Sequence, residues 1–439
     1  MATNIDTVSR GIFSNEAARR ALIGSAFGTA LEGYDFLLFG SVAGLVFAKL
    51  FFPSADPLAG TLLAFGAFAV GFIARPIGGI IIGNYGDKIG RKPMLLLTLG
   101  LMGLVTALIG LLPTYAQIGV FAPILLTLLR FIQGIAYGGE WGGAILLVVE
   151  HAPADRRGLY GGCANGATAI GDVLAYILLG LSGYISGAGF LVWGWRIPFL
   201  FSLAMIAVGL YVRTKTLETP EFLALKREGR ESKRPVLEVI RGNYREILLT
   251  AGPFALSNGT FYLSSVFLLT YVGVTLGVGI GTMLNAMLVA SIIRIFACIA
   301  FGALSDRVGR VPVVLGGAVF LVLNAFPLFW LVQTKDPILV TLGMALASIG
   351  LSAVWGPIAV FVTELFGTRV RYSGTSLGYQ IGSVFGGGLA PLVATALLKQ
   401  SGGETWPISL YLIALAAVAF VCVASLGETY KRRAYASAD

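Results

Sequence analysis

Ionisable side chains stand inside stretches of this sequence that are otherwise apolar: Glu32, Asp35, Arg75, Arg130, Glu140, Asp172 and Arg294. A charge in a membrane-crossing helix costs about 2.5–3.5 kcal/mol on insertion scales, so each is expected to face a partner or a water-filled cavity. Carboxylates there can exchange protons, and a guanidinium can hold a carboxylate through two parallel hydrogen bonds. Gly28, Glu32, Asp35 and Phe39 share one helical face, and Arg130, Gln133, Tyr137 and Glu140 share another. Asp35 and Arg130 read as a pair: a neighbouring guanidinium favours the ionised carboxylate, and its withdrawal favours protonation. A static salt bridge between two helices is the simpler alternative. Glu32 and Glu140 compete for the proton role, since like charges at similar depth can share one proton. Arg294 has no acid in its own apolar run, which leaves a substrate carboxylate or a carboxylate of the first half as its partner. Asp172, after Gly171, marks substrate choice or a local pairing. Arg75, Tyr137, Asn165, Asn258, Tyr262, Trp355, Tyr379 and Gln380 can complete a pocket, or serve packing and interhelical hydrogen bonds.

The elements that must position these groups follow from composition. With 56% hydrophobic and 12% charged residues among 439, the chain has too little polar surface to cover itself in water, and an integral membrane protein is expected. Twelve apolar runs are long enough to cross a bilayer as helices, from about 21–48 to about 406–426, the fourth (about 119–149) unusually long. Counted at 1.5 Å per residue from the charged ends, Glu32, Arg75, Glu140, Asp172 and Arg294 come at roughly 12–18 Å, with Asp35 and Arg130 at roughly 21 and 29 Å. Of the 31 Lys and Arg residues, 24 fall on one side of this arrangement and three on the other. Both termini are therefore expected in the cytoplasm of a multi-pass plasma-membrane (inner-membrane) protein. Residues 1–20 are polar and the first apolar run carries Glu32 and Asp35, so no cleavable leader is expected. Residues 1–212 and 247–428 are expected as two six-helix bundles, 213–246 as a cytoplasmic linker and 429–439 as a tail.

A charged loop is written twice. GNYGDKIGRKP, 83–93, and GALSDRVGRVP, 302–312, share Gly, Asp, Gly, Arg and Pro at an offset of 219 residues, half the chain. Asp87, Arg91, Asp306 and Arg310 lie where they can bridge helix ends and cap exposed amides. Glu150 with Arg156, and Glu364 with Arg369 and Arg371, repeat an acid-then-base pattern and are expected in the same network.

Other chemistry is poorly supported. Cys163, Cys298 and Cys422 are isolated, and one His cannot build a metal site, so no metal, cofactor or catalytic set is expected. No GxxxxGK[ST] loop occurs, which argues against an ATP-driven pump. The net charge of +9 is the topology signal rather than a nucleic-acid footprint.

LEGYDFLLFG, RPIGG, RFIQGIAYGGEWGG and ELFGTRVRYSGTSLGYQIG, with the duplicated GxxxDxxGRxP loops, resemble the metabolite:proton symporter branch of the major facilitator superfamily over essentially the whole chain. The resemblance implies an all-α membrane protein, twelve transmembrane helices in two six-helix bundles, with a substrate site between halves near mid-bilayer. It further implies proton-coupled symport of an organic acid or compatible solute by alternating access, with the repeated loops latching the outward-facing state. Proton-coupled efflux is the alternative in transport, and an integral-membrane enzyme the alternative class. The expected partners are a small-molecule substrate, protons and the lipid bilayer, with the protein a monomer.

Overall fold

The computed structural model describes residues 16–54, 57–214, 223, 227, 235–277 and 279–430. Most of the expected linker and the tail beyond Tyr430 lie outside the described residues. The long apolar runs satisfy their own backbone groups as helices, the arrangement a hydrocarbon environment demands. In chain order these are α1 (Glu16–Val42), α2 (Pro57–Ile89), α3 (Arg91–Leu111), α4 (Phe121–Tyr137), α5 (Glu140–His151), α6 (Arg157–Ser186), α7 (Arg196–Thr214), α8 (Pro235–Tyr262), α9 (Ile280–Val308), α10 (Arg310–Gln333), α11 (Pro337–Thr363), α12 (Arg371–Ser383), α13 (Ala390–Gln400) and α14 (Trp406–Leu426).

Several runs expected as single helices are interrupted, and the interruptions have local causes. The fourth run breaks into α4 and α5 at Gly138–Gly139, where backbones approach too closely for a side chain: a Cβ on Gly138 would collide with the carbonyl of Arg75. The eleventh run passes from α12 to α13 through a π turn at Val384–Gly388. π turns at Ala43–Phe47 and Leu263–Phe267 extend α1 and α8 at corresponding places in the two halves. Gly40 and Gly44 of the first meet Val266 and Thr270 of the second.

The duplicated loops are shorter than the sequence suggests. Only Gly90 separates α2 from α3, and only Gly309 separates α9 from α10. Their torsions nearly coincide (φ 122°, ψ 160° and φ 103°, ψ 163°), a region that costs a residue with a Cβ, which is why the repeat keeps glycine there. Asp87 and Asp306 are thereby placed in the last helical turns rather than in a loop.

Among the described residues, eleven helical stretches are long and apolar enough to cross a membrane. α8 is not one of them by composition, because RGNYRE dilutes its first turns and Asn243 leaves helical torsions (φ −133°, ψ 28°). Large apolar side chains such as Phe121, Phe296, Leu323 and Trp330 point outward. The charges point inward: Glu32, Asp35, Arg75, Arg130, Glu140, Asp172 and Arg294 are all buried. This inside-out polarity is what a lipid solvent imposes.

Candidate functional site

A cavity of about 50 Å³ lies between the two halves of the chain. α1 brings Glu32 and Gly33, α4 Tyr137, α6 Thr168 and Asp172, α8 Ser257, Asn258, Phe261 and Tyr262, α9 Arg294, α11 Leu351 and Trp355, and α12 Tyr379. Its volume exceeds the roughly 10–15 Å³ a single water needs, leaving room for a few waters. Arg294 forms an ion pair with Asp172 across α9 and α6, and its guanidinium lies 4.5 Å from the Phe261 ring centroid. The expected choice for Arg294, a substrate or a first-half acid such as Glu32 or Glu140, therefore resolves onto Asp172, which the close α6–α9 packing holds opposite it. Arg294 Nε and Asp172 Oδ1 remain buried without hydrogen-bond partners. Glu32 accepts from the Tyr379 hydroxyl at 3.4 Å.

Aromatic layers close the cavity on both sides. Toward the duplicated loops, Trp141, Phe254, Trp355 and Tyr379 pack with ring centroids 4.5–6.2 Å apart. Away from them, Phe36, Phe68, Phe72 and Tyr262 make edge-to-face contacts. Arg75 does not line the cavity; its guanidinium is 3.8 Å from the ring centroids of Phe36, Phe72 and Tyr137, a desolvated cation met by π faces. Asn165 and Gln380 also lie off the cavity wall. Asn165 donates to the Trp355 carbonyl and accepts from Trp141, while Gln380 donates to the Gly138 carbonyl, so both tie helices together across the halves.

Asp35 and Arg130 do not form the expected direct ion pair. Arg130 donates to Gln133 (2.5 Å), Gln133 to Thr106 (2.7 Å) and Thr106 to Asp35 (2.9 Å), giving a four-residue chain. Rings of Phe36, Phe39 and Phe68 around the Arg130 guanidinium hold it away from the carboxylate. Glu140 is not open either: Arg213 pairs with it, and Thr98 donates to it at 2.5 Å. Arg213, expected in the exposed linker, is instead 3% exposed in the last turn of α7 and also donates to the Leu95 carbonyl.

At the face of the duplicated loops the halves hold each other reciprocally. Asp87 of α2 accepts from the Ser373 amide (3.1 Å) and hydroxyl (2.7 Å) in the first turn of α12. Asp306 of α9 accepts from the Gly158 and Leu159 amides, both at 2.8 Å, in the first turn of α6. Each repeat aspartate thus caps a helix of the other half, where unpaired amides and the helix dipole favour an anion. Arg310 pairs with Asp306 at 2.7 Å. The side chain of Arg91 lies outside the described residues.

The two acid-then-base patterns are joined across the repeat rather than within each pattern. Glu150 meets Arg371 (3.1 Å) rather than Arg156, because Pro153 turns the chain into a short 3-10 helix where Arg156 lies beside Asp155 (3.6 Å). Glu364 faces α10 and meets Arg310 (3.5 Å) and Thr429 (2.7 Å), leaving Arg369 to Glu238 (3.8 Å). Glu428 completes the set by capping α10 at the Arg310 and Val311 amides, both 3.0 Å.

Comparison with known proteins fixes the family. The Major Facilitator Superfamily model matches residues 25–379. The Shikimate transporter of Escherichia coli (strain K12) is 40% identical over 408 residues, covering 92% of this chain and 93% of its own. The chain belongs to the major facilitator superfamily. Within it, the chain sits on the metabolite:proton symporter branch, where the Proline/betaine transporter of Salmonella typhimurium (strain LT2) is 33% identical over 96% of this chain and 86% of its own. The proton:xylose symporter XylE bound to 6-bromo-6-deoxy-D-glucose has the same fold, with a TM-score of 0.75 over 94% of this chain and 96% of its own at 16% identity. Membership makes this facilitator a secondary transporter rather than an enzyme.

Residue-type reasoning missed other parts of the facilitator's interior. Thr168, Ser257, Phe261 and Leu351 line the cavity without carrying a charge that would draw notice. Tyr372, whose hydroxyl donates to the Gly139 carbonyl at 2.8 Å, reads in sequence as one more aromatic near a helix start. Arg213 carried a signal in principle, since it stands one residue past an apolar run and a buried acid needs a cation.

Proposed function

We propose that this facilitator carries a small carboxylate or zwitterionic metabolite into the cell together with protons, acting as a monomer in the inner membrane. The supporting observation is the cavity itself, which presents a buried guanidinium and two carboxylates between aromatic layers, with both halves of the chain contributing. Arg294 offers the carboxylate anchor. Asp172, Tyr137, Asn258, Tyr262, Trp355 and Tyr379 form the walls, while Arg75 sets a positive potential just outside them. Asp35, at the end of its hydrogen-bonded chain to Arg130, and Glu32, in the cavity wall, are carboxylates that can exchange protons as the halves rock. Glu140, neutralised by Arg213, is left a structural task. A cavity holding only a few waters suits an occluded state, so a metabolite is admitted only as the halves rock apart.

Twelve spans in two six-helix bundles, 1–212 and 247–428, are reached by adding α8 and its π-helical continuation to the eleven apolar stretches. The Lys and Arg excess supports a cytoplasmic position for the loop face and both termini, and the Inner membrane metabolite transport protein YhjE of Escherichia coli (strain K12), 36% identical, supports the inner membrane. On this orientation Asp87, Arg91, Asp306, Arg310, Glu150, Arg371 and Glu364 latch the cytoplasmic side shut; Arg156 and Arg369 lie outside that core.

The deciding measurement is uptake into proteoliposomes of a labelled panel of carboxylates, betaines and amino acids, shikimate and proline included, with and without an inward proton gradient. Gradient-dependent accumulation of a carboxylate is the expected result. Accumulation that survives an uncoupler refutes proton coupling, and extrusion of apolar compounds would favour the efflux reading.

A further inference from the structure

The Asp172–Arg294 pair is misplaced for a structural strut. It joins α6 to α9 across the two halves, lies in the cavity wall, and leaves Arg294 Nε and Asp172 Oδ1 buried without partners. Both residues line the cavity, so water or a ligand there is the available partner for those atoms, each costly to leave unpaired. The tight part of the α6–α9 interface lies elsewhere, toward the loop face, where Gly158 and Gly162 meet Gly302 backbone to backbone. The contact is less tight toward the pair, where Gly166 approaches the Ile295 carbonyl, and the pair itself borders the cavity.

Charge accounting gives the pair a role. Empty, Asp172 and Arg294 neutralise each other. When a substrate carboxylate takes the guanidinium, a second anion has entered the same site and Asp172 is left buried without its counter-ion, a state that costs several kcal/mol unless it is neutralised. Among the described residues no second cation lines the cavity; Arg75 lies behind its wall, against Phe36, Phe72 and Tyr137. The ionisable groups facing Asp172 are Arg294 from α9, Glu32 from α1, Tyr137 from α4, Tyr262 from α8 and Tyr379 from α12, and α11 contributes only Leu351 and Trp355. α5 and α7, which also touch α6, turn Glu140 and Arg213 toward each other, and Asp35 of α1 is engaged by Thr106.

We propose that Asp172 is a tethered stand-in for the substrate carboxylate: it holds Arg294 in the empty carrier, is displaced by substrate, and then takes one proton from the water on the side of loading. This rests on the carboxylate reading of Arg294 given above. It makes proton coupling a consequence of ligand exchange at one guanidinium, with one proton bound per carboxylate, and it separates Asp172 from Asp35, which has no place on the cavity wall. Release reverses the exchange. The substrate carboxylate leaves, the Asp172 proton departs to the new side, and the ion pair re-forms.

The test is proton uptake on binding, measured with purified carrier in weakly buffered detergent solution. The probe is shikimate, or whichever monocarboxylate of the panel the wild type accumulates. The wild type is expected to take up about one proton per carboxylate bound, so that Kd rises tenfold for each unit of pH across the range of full uptake. Asp172→Asn is expected to take up none, to lose that pH slope, and to bind the probe about tenfold or more tightly, its internal competitor gone. Asp172→Glu, which keeps the carboxylate, should keep the uptake. Binding without proton uptake in the wild type overturns the proposal whatever the variants do. So does an Asp172→Asn carrier that keeps the uptake, or one that is folded yet loses the probe, which would make Asp172 a substrate contact. Unchanged binding in Arg294→Ala would instead refute the carboxylate reading itself.

Discussion

Asp87→Asn isolates one of the two reciprocal caps. The carboxylate accepts two hydrogen bonds from Ser373, at 3.1 and 2.7 Å, at the amino end of α12. Hydrogen bonds to a charged group contribute about 1.5–3 kcal/mol and neutral ones about 1, and the helix-end charge term adds about 0.3–1 kcal/mol. The asparagine oxygen can still accept, so the loss comes to roughly 1–2 kcal/mol, a factor of about 5–30 in the ratio of closed to open loop face. Spin labels on exposed Asp155 and Arg369, introduced as D155C and R369C in a background without the native cysteines, report that ratio as a distance distribution. A longer-distance population should appear in the variant. Affinity for a transported carboxylate should change only through the population of the binding-competent state. An unchanged distance distribution accompanied by a large loss of affinity would refute the reasoning, because it would move Asp87 from the latch into the site.

Two further outcomes are expected. Glu140→Gln takes from buried Arg213 the carboxylate it pairs with and should cost about 3–5 kcal/mol, seen as a lower melting temperature in detergent, while adding Arg213→Met should recover much of the loss; equal stability of the single variant and wild type would count against a structural pair. Gly309→Ala forces a Cβ into φ 103° beside Glu428 and should destabilise by about 1–2 kcal/mol, whereas Gly316→Ala, whose Cβ would meet nothing within 4 Å, should be neutral or better; matching melting temperatures for the two would remove the strain argument.

What could be read from sequence followed the strength of the physical constraint. Apolar runs announce helices because lipid leaves the backbone no alternative, and the repeated Gly–Asp–Gly–Arg–Pro pattern announced a loop because Gly90 and Gly309 adopt torsions that disfavour side chains. Pairings were less legible. Asp35 and Arg130 share a region, yet whether a guanidinium reaches a carboxylate depends on Gln133 and Thr106 lying between them and on aromatic rings that side-chain spacing along one helix does not encode. Arg213 was hidden by its neighbours: a cation at the end of an apolar run looks like the start of a linker until α3 and the α4–α5 break are seen to close over it. Asp172 and Arg294 are 122 residues apart, and only the crossing of α6 with α9 makes them one unit.

The reciprocal capping by Asp87 and Asp306 bears on how the chain is made. While the first half is inserted and the second is still on the ribosome, the α6 amides await Asp306 and the start of α12 has yet to reach Asp87, so these two contacts form only when both halves are present. Each half carries the piece that finishes the other. Two fragments divided in the segment between α7 and α8, expressed from separate messages, would therefore be drawn together at that face by matched anions and helix ends, with the same two contacts proposed as the latch serving first as the recognition step of assembly.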